Sequence, residues 1–204
     1  MRNHQRTRVR FPYRASEHKN KMIKLNLGCG NDYRKGWINV DFNKEVKADV
    51  YADFAKKLPF KDNYADVVLL DNVLEHIMPE RYFAFLEELY RICKHGAIVH
   101  IYTPHYSGMY AFGHPAHYKY FGIGSFDFMR HEDAFNGERY TKARFDVCEQ
   151  KLFFFHRKLI NHPILSKLPI NWIFNFSEQW QKLMERFQFF GFDESYFKLR
   201  AWKK

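Results

Sequence analysis

Glycines, carboxylates and an amide recur at four points where short apolar runs end. The first point is Leu25-Asn26-Leu27-Gly28-Cys29-Gly30-Asn31. Glycines placed directly after a strand let the backbone approach a ligand without a Cβ clash. In an open α/β sheet the carboxyl ends of strands are also where ligands bind. Tight turns use the same Gly-x-Gly pattern, so this turn alone decides nothing. Asp41 ends the second run, and a carboxylate there can accept hydrogen bonds from a ribose diol. Asp53-Phe54 follows the third run, pairing an acceptor for an adenine amino group with a ring that can lie against the base. Asp71-Asn72 closes the fourth, just ahead of Val73-Leu74-Glu75-His76-Ile77. Each feature has an ordinary reading as a cap, a turn or a solvated loop. Four of them at successive strand ends suit successive parts of a nucleoside ligand.

Strands must hold these points in register. Met22 to Leu27, Trp37 to Phe42 and Ala48 to Asp53 read as three short strands. Ala65 to Leu70 is apolar without alternation, as expected of a strand covered on both faces of a parallel sheet. Pro79 opens a helix. Its Tyr82, Phe85, Leu86, Leu89 and Ile92 fall at helical spacing, and Gly96 is the expected stop. Ala97 to Tyr102 is a fifth strand, ended by Pro104. Thr103 to Asn136 lacks periodicity, and a long irregular segment in a compact domain is commonly a lid or binding loop. Phe145 to Phe155 is a sixth strand. Asn175 or Ser177 caps a helix running through Phe187, and Ser195 to Trp202 alternates like a final antiparallel strand. The pattern predicts a doubly wound α/β sheet.

The set Leu27-Gly28-Cys29-Gly30, Asp41, Ala52-Asp53 through Leu58-Pro59-Phe60, Asp66-Val67-Val68 and Val73 through Ile77 resembles class I S-adenosylmethionine-dependent methyltransferases. The branch it resembles is the small bacterial, type 11-like one, with an LGCG turn, a Gly-Trp-Ile-Asn-Val-Asp second strand and a VLEH helix start. The resemblance covers residues 22 to about 105 well. It implies a Rossmann-like, mostly parallel sheet and S-adenosyl-L-methionine as cofactor. By the same resemblance, Leu27, Gly28, Cys29 and Gly30 lie against the methionine part, Asp41 binds the ribose, and Asp53 with Phe54 meets the adenine. Asp71 and Asn72 line the methyl-transfer pocket, and His76 joins them. The chain departs from the common pattern in two ways. Ten residues separate Gly30 from Asp41, so the first crossover helix is very short or absent. The turn also lacks a third glycine.

Methyl transfer from a sulfonium leaves the protein to position the acceptor and take up its proton. A hydroxyl acceptor calls for a histidine or carboxylate base. His105 follows the fifth strand directly and is expected at the ligand edge, beside Tyr106. His114 and His117 fall in the irregular segment, as do Tyr118 and His131. His105, His117 and Tyr106 are the catalytic candidates, and each also has a plain packing or loop role. His114 and His117 could be two metal ligands, but no Cys or carboxylate at ligand spacing accompanies them, so no metal is assigned. Cys29 reads as a small residue that fits the turn rather than as a nucleophile.

The chain has 204 residues and a formal net charge of +10, with three widely spaced cysteines. Twenty-two Phe and 13 Tyr exclude wholesale disorder. Arg2 to Lys24 is basic, with Glu17 its only acid. Residues 1–20 are expected to form a flexible basic tail, able to contact phosphates or an anionic membrane surface, and residues 21–204 the methyltransferase domain, with 103–136 its lid. Sparse cysteines suit a cytoplasmic protein, and no apolar run approaches the ~20 residues of a membrane helix. A small-molecule acceptor or a lipid-linked saccharide precursor is the favoured substrate class. The glycan suggestion comes from the resemblance alone. RNA is the alternative, supported by charge but by no recognisable RNA-binding module. A protein that binds the cofactor without turnover is the third.

Overall fold

The computed structural model describes residues 22–132, 140–157, 170–187 and 191–203. The strands are β1 (Lys24–Leu27), β2 (Ile38–Asp41), β3 (Val50–Tyr51), β4 (Ala65–Asp71), β5 (Cys93–Pro104), β6 (Phe145–Phe153) and β7 (Glu194–Ala201). They form one sheet in the order β3-β2-β1-β4-β5-β7-β6. β1 to β5 pair in parallel, and β7 runs antiparallel to both β5 and β6. The fold is therefore an α/β Rossmann-like sheet with one reversed strand. Leu25, Leu27, Val68, Leu70, Val99, Ile101, Phe197 and Leu199 are fully buried along its central strands.

Helix α1 (Pro79–Ile92) joins β4 to β5 and buries Tyr82, Phe85, Leu86, Leu89 and Ile92. At about 1.5–3 kcal/mol for each buried side chain, that stripe is the main reason the helix docks. It ends at Ile92, four residues before Gly96. Asn63 and Tyr64 donate their amides to the carbonyls of Arg91 and Ile92, at 3.0 and 2.8 Å. Cys93 then pairs with Ala65 as the first residue of β5. Tertiary pairing thus ends the helix before the glycine can, and Gly96 takes its left-handed turn (φ +77°) inside an irregular strand start.

No helix lies between β1 and β2. Buried side chains hold that crossover instead. The Asn39 Oδ1 accepts the Arg34 amide at 2.8 Å, and its Nδ2 donates to Asp49 at 2.9 Å and to the Arg34 carbonyl at 3.0 Å. Asn26 donates to the Asp32 carbonyl at 2.8 Å and to Asn39 at 3.1 Å. These amides satisfy backbone groups that a helix would have paired internally.

The segment expected to be a lid over 103–136 divides. It contains α2 (Met109–Gly113) and a 3-10 helix, Ile123–Met129. Ile123, Phe126 and Met129 are buried, and the Phe126 ring stands 4.7 Å from that of Phe197. Ile123, Phe126 and Met129 therefore pack residues 121–129 into the core, where a lid was expected. Residues 133–136 lie outside the described residues, as does the basic stretch 1–21. Farther on come α3 (Ile170–Phe174) and α4 (Glu178–Phe187). Ser177 Oγ accepts the Trp180 amide at 3.1 Å, the capping bond expected of that serine. Among the described residues no helix is long and apolar enough to cross a membrane.

Candidate active site

The turn after β1 is shaped by what crowds it. Gly28 has φ +70°, and a Cβ there would lie 2.5 Å from a Val73 methyl and 3.5 Å from the Phe54 ring. Gly28 and Cys29 donate their amides to the Val40 carbonyl at 2.8 and 3.0 Å. Asp41, at the end of β2, accepts the amides of Gly30 and Asn43 at 2.8 and 2.9 Å, one on each carboxylate oxygen. Each oxygen keeps a lone pair for a ligand hydroxyl.

These groups wall a cleft of about 600 Å³, together with Phe42, Asp53, Phe54, Asn72, Val73, His76 and Arg81. Its volume lies within the range of cofactor sites. Asp53 accepts the Ala55 amide at 2.9 Å, and this bond, followed by the one from Lys56, holds its carboxyl below the usual range. Asn72 adopts φ +54°, a left-handed conformation that Asn tolerates better than most side chains. Its amide donates to the Tyr102 carbonyl at 2.9 Å.

A second cleft, of about 680 Å³, adjoins the first and shares Asn72 as a wall. Glu75, Tyr110, His114, His117, His156, Asp193 and Glu194 also face it. Glu75 is 1% exposed, and its Oε2 accepts the Thr103 hydroxyl at 3.3 Å while Oε1 has no protein partner. Burial pushes its pKa up to about 8, aided by the charges of Asp71 and Glu194. A carboxyl that titrates near neutral pH beside a cleft has the properties of a general base.

Residues 25–101 match the family model described as a methyltransferase domain. Three solved structures share the whole fold. A SAM-dependent methyltransferase from Archaeoglobus fulgidus is 20% identical, with a TM-score of 0.53, over 89% of this chain and 87% of that one. The putative methyltransferase of Haloferax volcanii, solved with the Trm112 methyltransferase activator, is 18% identical, with a TM-score of 0.54, over 90% and 83%. An S-adenosylmethionine-dependent methyltransferase from Mesorhizobium loti is 11% identical, with a TM-score of 0.51, over 88% and 90%. At such identities the structural likeness is one of fold. No curated protein matches the sequence. Over residues 25–101 the chain is thus similar to methyltransferase domains, and it shares the fold of S-adenosylmethionine-dependent methyltransferases.

Gly28, Asp41, Asp53, Phe54, Asn72 and His76 line the first cleft together. Four other residues assigned to the cofactor are placed differently. Leu27 is fully buried in the core, so its side chain offers the cleft nothing. Cys29 turns its thiol toward the Lys47 carbonyl, 3.7 Å away. Burial, then the Asp41 charge, raises that thiol to about 11, so it remains a neutral packing group. Gly30 contributes its amide to Asp41 rather than a surface to the cleft. Asp71 pairs with Arg157, whose guanidinium lies 3.8 Å over the Tyr102 ring, and it does not line the cleft.

His105, expected as a base, is placed away from both clefts. Its ring is fully buried, with Nδ1 on Ser107 and Nε2 on Glu185, both at 2.8 Å. With both nitrogens engaged inside the protein, it ties β5 to α4 and faces neither cleft. Tyr106 donates its hydroxyl to the Glu185 carbonyl at 3.2 Å and is likewise off both walls. His131 is bound to Asp146 at 2.6 Å and stacked on Trp202, away from the site. His117 does face the second cleft. Sequence reasoning did not single out Glu75, although it sits inside the quoted Val73–Ile77 motif. The available signal was an acid flanked by buried apolar residues, which predicts desolvation.

Proposed function

We propose that the first cleft holds S-adenosylmethionine and that the domain transfers its methyl group to a hydroxyl on a small polyhydroxylated acceptor seated in the second. The favoured acceptor class is a saccharide or a lipid-linked glycan precursor. Asp41 receives the ribose diol, Asp53 and Phe54 the adenine, and Asn72 stands where the two ligands meet. Glu75 takes the acceptor proton. The acceptor oxygen then forms a bond to the methyl carbon as the carbon–sulfur bond breaks, and that electron pair neutralises the sulfonium.

The observation that carries this reading is the buried Glu75 carboxyl, with its unpartnered Oε1, on the wall adjoining the cofactor cleft. Carboxylates, imidazoles and a tyrosine are good partners for sugar hydroxyls. The same wall argues against RNA, since Asp193 and Glu194 would repel a phosphate backbone. The test is methyl-labelled cofactor incubated with the purified chain and a panel of saccharides, lipid-linked glycans and RNA. Label in a saccharide hydroxyl is the expected outcome. Label in RNA overturns the acceptor assignment, and cofactor binding without label in any acceptor favours a non-catalytic role.

A further inference from the structure

His76 comes from the end of the 3-10 turn Leu74–His76, while His114 and His117 come from the segment after α2. The fold brings them together. The ring centroids are 5.3 Å apart for His76 and His114, 4.7 Å for His76 and His117, and 4.8 Å for His114 and His117. Three imidazoles set tetrahedrally around zinc, with Zn–N of about 2.1 Å, have centroids about 5 Å apart. Each residue brings a ring nitrogen within 4.8 Å of the others. Small side-chain rotations bring these nitrogens to the roughly 3.4 Å spacing of a tetrahedral site.

The outer hydrogen bonds fix two of the three tautomers in the same sense. His76 Nδ1 lies 3.0 Å from the Ala116 carbonyl, and His117 Nδ1 lies 3.1 Å from the Ala111 carbonyl. A carbonyl accepts only, so both Nδ1 atoms carry the proton and both Nε2 atoms present a lone pair. Metal-bound histidines are oriented by this arrangement, the second ring nitrogen donating to a backbone carbonyl. His114 Nδ1 accepts the Ala116 amide at 3.2 Å, a long bond that it exchanges on tautomerising to join the other two.

From this geometry we propose that His76, His114 and His117 form a three-histidine site for a divalent metal of the zinc type, open at its fourth position. Imidazole sets of this kind suit zinc and its neighbours rather than magnesium or calcium. His76 lines the cofactor cleft and the other two line the second cleft, so the ion sits at their junction. Its use in catalysis rests on the methyltransferase reading: an acceptor hydroxyl on the open position would become easier to deprotonate. Metal binding itself does not depend on that reading.

The experiment uses the untagged full chain, stripped with chelator and titrated with zinc chloride by calorimetry in the absence of cofactor. Cobalt chloride serves as the optical probe. One equivalent of zinc binds, and cobalt gives the intense visible bands of a four-coordinate site. His114→Ala and His117→Ala each weaken zinc by roughly tenfold or more, whereas His95→Ala, at an exposed histidine elsewhere, leaves it unchanged. In parallel, histidine-labelled wild-type protein shows zinc-induced nitrogen shifts at His76, His114 and His117, so the result does not hang on the variants folding. Absence of saturable binding, unchanged affinity in His117→Ala, or shifts confined to other histidines overturns the proposal. Cofactor titration of the same sample is scored separately, so loss of one finding does not conceal the other.

Discussion

Replacing Glu75 with glutamine keeps the shape of the side chain and removes its titration. In the unfolded chain a glutamate titrates near its ordinary value of 4.5; in the fold, burial raises it to about 8. Between these values the folded protein binds a proton that the unfolded chain has lost, so wild-type stability falls as pH rises. The contribution is fully present below pH 4.5 and lost as pH passes through about 8. At 1.36 kcal/mol per pKa unit, the loss is about 3 kcal/mol at pH 7 and about 5 kcal/mol above pH 8. Glu75→Gln does not pay this penalty, and its amide oxygen can still accept from Thr103. Guanidinium melts of both proteins at pH 5, 6, 7 and 8 should therefore diverge, with the variant gaining on the wild type at each step. A stability difference that does not change with pH refutes the burial argument. The same variant should lose roughly a hundredfold or more in methyl transfer with cofactor affinity unchanged, because Glu75 is not on the cofactor wall.

Gly28→Ala combines a left-handed backbone with a 2.5 Å approach to Val73, so thermal melts should show a loss of about 2–4 kcal/mol and calorimetry a weakened cofactor. Asp41→Ala removes the acceptor for two backbone amides as well as the ribose partner. It should destabilise by about 2–4 kcal/mol and weaken cofactor binding by at least roughly tenfold; unchanged affinity removes Asp41 from the site. His105→Ala deletes a fully buried ring and two hydrogen bonds. Chemical denaturation should register a loss of about 2–4 kcal/mol while the folded fraction keeps its turnover number, and a selective loss of turnover would restore His105 as a base.

Fold class and strand ends were legible because they are written locally. Apolar runs ended by Gly28, Asp41, Asp53 and Asn72 fall at the carboxyl edge of parallel strands, and their type survives folding. The missing first crossover helix was legible from chain length alone. What the sequence could not display is pairing across distance. His105 looked like an edge residue from its position after β5, yet Glu185, 80 residues later, closes over its ring. His76 stands 38 residues from His114 and 41 from His117, and only the fold makes them a cluster. The 121–129 segment lacked helical or strand period because a 3-10 helix has neither, although its Ile123, Phe126 and Met129 recur every third residue.

The helix-free crossover changes how this cofactor site is held. In a sheet whose first strand feeds a helix, the helix N-terminus supplies ordered amides and a positive dipole to the ligand. Here the Gly30 amide is spent on Asp41, and the loop beyond it hangs from Asn39 and Asn26. The carboxylate that fixes the turn is also the proposed partner of the ribose, so on that reading turn geometry and ligand affinity are set by one side chain. The acceptor side is built otherwise. Its wall draws on α2 and the segment after it, where Met109, Tyr110 and Phe112 remain exposed. On the proposed reading, rigid strand ends serve the cofactor and an exposed helical segment serves the acceptor, so acceptor choice is to be read from residues 105–120 rather than from the glycine turn.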